Sequence, residues 1–198
     1  MNKKVLALCG IALVGPIGTV SAAPGDGTFG GRIQFVGTVV NAACAVEASS
    51  TNMTVVMGQI RTATIDKGVG KQSDARIPFE IVLGDCDPSV SESAAVSFYG
   101  VLDSTDTTGA VKPGTALVAG IGTDSSNGVG LQIFDAGRAG AGGTDAVVID
   151  NVTPTTPLKL NPGQNALKFQ VGYVSLVAQG LVEAGDASAS VNFNMHYF

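Results

Sequence analysis

Three cysteines and one histidine make up the soft and imidazole ligand set of this 198-residue chain, and their placement leaves little room for catalysis. Cys9 falls in an apolar N-terminal run, Cys44 and Cys86 lie about forty residues apart, and His196 stands near the C-terminus. A Ser–His–Asp triad would have to use His196. Its neighbour Tyr197 takes the core-facing parity, which leaves the imidazole on the opposite, solvated side or at a rim. A copper or zinc site of the several-histidine kind lacks its ligands. Asp85 and Asp87 flank Cys86 and share the parity opposite to it, which suits a solvated strand end better than a carboxylate pair. Asp103, Asp106 and Gly109 lack the ligand spacing and closing glutamate of a calcium loop. No phosphate loop or nucleophile elbow occurs. The reading is of a protein without catalysis, metal or cofactor.

The remaining role for the cysteines depends on compartment. Lys3 and Lys4 precede an apolar stretch from Val5 to about Val20, and Ser21, Ala22 and Ala23 supply small residues for cleavage. This is the pattern of a secretory signal over residues 1–22, cut after Ala22. Gly10, Gly15, Pro16 and Gly18 interrupt the stretch, which falls short of the ~20 apolar residues of a membrane span. Leu8 before Cys9 does not fit a lipid-anchored cysteine. Two cysteines then remain in an exported chain, and an even pair in an oxidising compartment reads as one disulfide, Cys44 to Cys86. Closing a loop of that length stabilises by about 4 kcal/mol in the chain-entropy account. The rival readings are a metal site and a catalytic thiol.

Positioning elements of period two run through most of the chain. Ile77, Phe79, Ile81 and Leu83 alternate with Arg76, Pro78 and Glu80 on the other face; Val129, Leu131 and Ile133 repeat the spacing. Leu167, Phe169, Val171 and Tyr173 follow it again. A last strand reads Ala187, Ala189, Val191, Phe193, Met195, Tyr197, with Ser188, Ser190, Asn192 and Asn194 between. Such alternation marks sheets with one buried face. Further strands are expected near 53–60, 94–102 and 145–150, separated by polar and glycine-rich turns at 103–110, 122–128 and 135–144. No stretch forms a convincing amphipathic helix. Many short strands with polar turns predict an all-β sandwich stapled by one disulfide.

Length beyond the signal suffices for one domain with a core. The formal net charge is −5, more negative still without Lys3 and Lys4, so no basic stripe exists to replace phosphate counterions and nucleic acid is excluded as a partner. Charged residues are only 14 %, which suggests a surface covered in part by neighbouring copies. At the N-terminal side, Phe29, Gly31, Ile33, Phe35, Gly37 and Val39 share one parity. At the C-terminal side, an alternating strand runs to Phe198. A strand with nothing before it and an open apolar edge at the other end would allow one copy to complete the next by strand addition. The alternative on pattern alone is that the N-terminal strand joins its own sheet.

Longer runs carry a resemblance. Gly30-Gly31-Arg32-Ile33-Gln34-Phe35-Val36-Gly37-Thr38-Val39-Val40-Asn41-Ala42-Ala43-Cys44-Ala45-Val46 resembles the mature N-terminus of type 1 fimbrial major subunits of the chaperone–usher class. Gly58-Gln59-Ile60-Arg61-Thr62-Ala63 continues it. Leu83-Gly84-Asp85-Cys86-Asp87 resembles the second-cysteine motif, and Gly128-Val129-Gly130-Leu131-Gln132-Ile133 a later core strand. Tyr197 is penultimate and Gly185 is fourteenth from the end, as in that family. Segments 103–127 and 135–145 depart from the pattern, being longer and richer in glycine.

The resemblance implies an incomplete immunoglobulin-like sandwich that lacks its final strand. A periplasmic pilus chaperone first supplies that strand; at an outer-membrane usher the N-terminal extension of the next subunit replaces it. On this chain it implies an extension at 23–41 and a pilin domain at 42–198. The donor strand would be Phe29, Gly31, Ile33, Phe35, Gly37 and Val39, with Gly37 where backbones approach closely. Val191, Phe193, Met195 and Tyr197 would wall the acceptor groove and bind the chaperone. The implied function is a structural subunit of a surface fibre whose partners are other copies of itself, the chaperone and the usher. Alternatives are a minor adaptor or tip subunit, or a secreted β-sandwich binding module. A tip adhesin with an added receptor domain would need a longer chain, and a sugar site favours aromatic platforms, whereas this chain has no Trp.

Overall fold

Opposed apolar side chains decide the central pairing. A computed structural model describes residues 31–104, 108–120, 128–137 and 145–198. The signal expected at 1–22, Phe29 and all but Gly128 of the turn expected at 122–128 lie outside these residues. The chain divides into two units, residues 1–38 and 39–198. In the first, the described residues form no helix or strand. Ile33, Phe35 and Val36 there are 78 %, 90 % and 88 % exposed.

The second unit holds eight strands and two single-turn helices among its described residues. In chain order they are β1 (Ala45–Val46), α1 (Ala48–Thr51), α2 (Thr62–Ile65), β2 (Ile77–Cys86) and β3 (Ser93–Gly100). Then follow β4 (Leu117–Val118), β5 (Val129–Asp135), β6 (Leu158–Lys159), β7 (Gly163–Ser175) and β8 (Val191–Tyr197). One sheet has the order β1-β2-β7-β5-β4 and the other β6-β3-β8, and every named pair is antiparallel. In the β2–β7 ladder Phe79 faces Phe169 and Ile81 faces Leu167, so one face of both strands is apolar. Phe98 of β3 meets Phe169 of β7 edge-on, ring centroids 5.2 Å apart. That contact joins the two sheets across the core and is worth about 1 kcal/mol beyond the burial itself. Strand β5, between β7 and β4, is covered on both faces: Leu131 and Ile133 face the main core, while Gln132 on the other face bonds Gln72 and Thr115.

The disulfide is formed between Cys44 and Cys86. Asp85 lies within the irregularity in the β2 ladder between Leu83 and Cys86, at φ 51, and with Asp87 it faces solvent. Asp87 accepts bonds from the hydroxyl and backbone N–H of Ser89, which lower its pKa in that order.

Four expectations need correction. Residues 53–60 alternate as expected, with Met53, Val55 and Met57 half-buried, but they form no strand. No described segment pairs with them, and Gly58 turns the chain at φ 69. Residues 145–150 make only a bridge from Ala146 to Phe134 and single bonds such as Ile149 N–H to Gly114 C=O. The last strand starts at Val191, not Ala187, because its partner β3 ends opposite, at Gly100. The helices α1 and α2 were not foreseen, since four residues cannot display a 3.6-residue period.

Candidate functional site

The smaller sheet ends at β8, and among the described residues one side of that strand has no partner. Ser93 and Phe198 exchange both backbone hydrogen bonds, at 2.9 and 3.1 Å. In an antiparallel ladder such pairs recur at every second residue, so His196, Asn194 and Asn192 also turn their N–H and C=O groups toward β3. Val191, Phe193, Met195 and Tyr197 therefore turn theirs away, where no described segment pairs with them. The same four side chains are half-buried against the core, while Asn192 and Asn194 are exposed. Side chains and unpaired backbone groups of one set of residues thus border one space.

That space is a groove of about 1510 Å³. Residues 52–62 form one wall, residues 182–195 the other, and the floor includes Ile81, Phe98, Leu131 and Tyr173 from both sheets. The floor is the hydrophobic core itself, seen where a sandwich would carry one more strand. Beyond one end of the groove β8 is tied to β2 through the cysteines: the Tyr197 hydroxyl donates to the Cys44 carbonyl at 3.0 Å, and Cys44 is bonded to Cys86 of β2. Arrangement and chemistry suit an extended apolar strand rather than a small polar ligand.

Burial raises the phenol pKa of Tyr197 above its ordinary value. Tyr173 is raised too, first by burial and then by the Asp186 carboxylate. In the unfolded chain both ionise near their ordinary value, so the stability they contribute is whole below about pH 10 and lost as pH rises through the folded values. Urea midpoints should fall as pH climbs above about 10, and Tyr197→Phe should weaken that fall while costing about 1 kcal/mol at neutral pH for the lost bond to Cys44.

His196 lies opposite the groove, as its parity requires, and is half-buried with Nε2 2.8 Å from Oγ of the fully buried Ser97. Ser97 Oγ also bonds the Asn151 carbonyl at 3.4 Å. This is a link between the last strand and the segment after Asp150, where the exposed carboxylate of Asp150 is occupied by Val152 and Thr153. Among the described residues no group of three or more His, Cys, Asp or Glu side chains could hold a metal, and no helix is long and apolar enough to cross a membrane.

The sequence profile of fimbrial proteins matches residues 33–197, spanning the groove walls, the disulfide and β8. The chain belongs to the fimbrial protein family. The type-1 fimbrial protein A chain of Escherichia coli K12 is 36 % identical over 197 residues, covering all of both chains. The type 1 fimbrial subunit of Klebsiella pneumoniae is 35 % identical with the same coverage. Among solved structures, a chain of a chaperone–usher pilus shares the fold with a TM-score of 0.66 at 24 % identity, over 87 % of this chain and 97 % of that one. The P pilus rod subunit PapA gives 0.60 at 22 %, over 79 % and 100 %. This fimbrial subunit has the family's incomplete immunoglobulin-like sandwich, is structural rather than enzymatic, and is a component of a surface fimbria.

The structure places the sequence-derived residues in two groups. Val191, Phe193 and Met195 come together along one wall, and Tyr197, at the end of the same strand, packs against the core. Gly31, Ile33, Phe35 and Gly37 lie in the N-terminal unit, with Val39 fully exposed at the start of the second. In the opposite wall Met53, Val55 and Met57 were legible as alternation, with Ile60 of the other parity beside them, but the stretch was assigned to an ordinary strand.

Proposed function

We propose that this fimbrial subunit polymerises into the rod of an adhesive or biofilm-associated fibre by donor-strand exchange. The N-terminal extension, residues 23–41, enters the groove of the next copy and pairs with β8, completing the pilin domain of residues 42–198. Ile33, Phe35 and Val39 fill the apolar floor, with Phe29 and Gly31 of the same parity extending the donor and Gly37 where the backbones approach most closely. Before assembly a periplasmic chaperone occupies the groove against Val191, Phe193, Met195 and Tyr197, and an outer-membrane usher is where the exchange takes place. Export through the periplasm by the signal at 1–22 precedes both steps.

The observation that carries this reading is the coincidence on β8 of inward apolar side chains and outward unpaired backbone groups. Burying several large side chains there contributes several kcal/mol at ~25 cal/mol per Å², and a ladder of backbone bonds forms with it. Such a junction dissociates very slowly.

The test compares the full chain with one lacking residues 23–40, each co-expressed with the chaperone and followed by size-exclusion chromatography and electron microscopy. The full chain is expected to form detergent-resistant polymers while the truncated one stays with the chaperone. A full chain that is a stable monomer by itself, with a truncated one that folds poorly, would overturn the reading. Gly37→Leu gives a finer check. A Cβ at Gly37 meets nothing within 4 Å in the isolated chain, so chaperone-bound yield should be unchanged while polymer is lost.

A further inference from the structure

We propose that Asp66 is a positioning residue for strand insertion, clasping the two walls of the groove together at the end remote from the disulfide. The inference rests on the donor-strand reading above. The wall of residues 52–62 runs directly into α2, which is anchored by Ile65, 2 % exposed in the core. Asp66 closes that turn with its N–H on the Thr62 carbonyl at 2.8 Å. Its carboxylate then reaches a residue 114 positions away: Gly180 N–H lies 2.7 Å from Oδ1 and 2.9 Å from Oδ2.

Gly180 sits where the chain leaves β7 and turns toward β8, at φ 91, in a turn closed by Leu181 N–H on the Ala178 carbonyl. Residues 182–190, which follow it, are the part of the second wall that belongs to no strand. Gly120 N–H reaches this stretch at the Ser188 carbonyl, 2.8 Å away. Its entry point is therefore set by the Asp66 carboxylate, a charge-assisted acceptor stronger than a neutral one. Tyr197 and Cys44 tie β8 to the disulfide at one end, and Asp66 and Gly180 join the segments flanking the two walls at the other, leaving the span between them open. A groove held at both ends needs no ordering when a strand enters; one released at the Asp66 end must be ordered during entry, which slows association.

The test takes the full-length subunit in complex with its chaperone and adds a fluorescent peptide copying residues 31–40. Fluorescence anisotropy reports the insertion rate, and thermal unfolding of the product reports stability. Asp66→Ala is expected to slow insertion about tenfold, the scale of one lost charged hydrogen bond. Asp66→Asn keeps one acceptor oxygen and is expected to restore most of the rate. Should the alanine variant not be recovered, Asp66→Ser, too short to reach Gly180, carries the same expectation. Insertion at the wild-type rate with only a lowered melting temperature would overturn the proposal, because that is what a purely structural contact gives. Equal slowing by Ala and Asn would overturn it as well. If the wild-type complex takes up no peptide, the donor-strand reading itself fails and the proposal falls with it.

Discussion

Replacing Ile33 and Phe35 together by aspartate is expected to abolish polymer while leaving the chaperone-bound subunit intact. Both side chains are largely exposed in the isolated chain, at 78 % and 90 %, so their loss removes almost nothing from its own stability and should fall within about 0.5 kcal/mol. In the assembled state each would be buried in an apolar floor, where a large side chain is worth about 1.5–3 kcal/mol. Losing two removes about 3–6 kcal/mol, and two unpaired carboxylates on that floor add a further desolvation cost. At 1.4 kcal/mol per tenfold, the junction weakens by a factor of at least about a hundred. Parity supplies the control. Val36 is 88 % exposed but faces the other way on an extended strand, so Val36→Asp should leave polymer largely intact. Electron microscopy of the three proteins reads the result. Equal damage from Val36→Asp would show that apolar bulk anywhere in the segment matters, and that the alternation does not.

The second large effect is expected at the disulfide. Cys44→Ser, or reduction, should lower stability by about 4 kcal/mol, from the entropy of a loop spanning a separation of 42 residues. Against a total of about 5–15 kcal/mol for a typical domain this is a large share. Cys44 and Cys86 are 3 % and 6 % exposed, so the serine also leaves a buried hydroxyl in an apolar cluster. Little export-competent subunit should accumulate, and the urea midpoint of what is recovered should fall sharply. Because the Tyr197 hydroxyl bonds the Cys44 carbonyl, the variant should also loosen the end of β8, visible as faster amide exchange there. Normal yield and an unchanged midpoint would show that packing alone holds residue 44 in place.

Much of the fold could be read from period-two alternation because most strands have one buried face. Ile77 to Leu83 and Leu167 to Tyr173 are half-buried or buried on the inner face, and they pair with each other as such strands should. The alternation of Met53, Val55 and Met57 was equally plain. It reports burial and says nothing about pairing, so a groove wall and a paired strand look alike in sequence. At Ala187 and Ala189 the same ambiguity extended a strand past the end of its partner. The bond from Asp66 to Gly180 left no local signal at all, since neither residue belongs to a periodic run and the two are far apart in the chain. His196 had the expected face, but its bond to Ser97 is a tertiary contact without a local sequence signal. The groove is legible only once β8 is known to have a partner on one side.

The position of Cys44 has a mechanical consequence. In a fibre built by strand exchange, tension on a subunit enters through its own extension and arrives at residues 39–44. There the covalent link to Cys86 hands the load to β2, which lies in a ten-residue strand laddered to β7. The pull bypasses the weakly held stretch of residues 45–76, with its two-residue strand and single-turn helices. It is borne as shear by a long ladder whose many bonds must fail together. A stretched fibre of this kind would yield first between its subunits, and each subunit would come through the extension still folded.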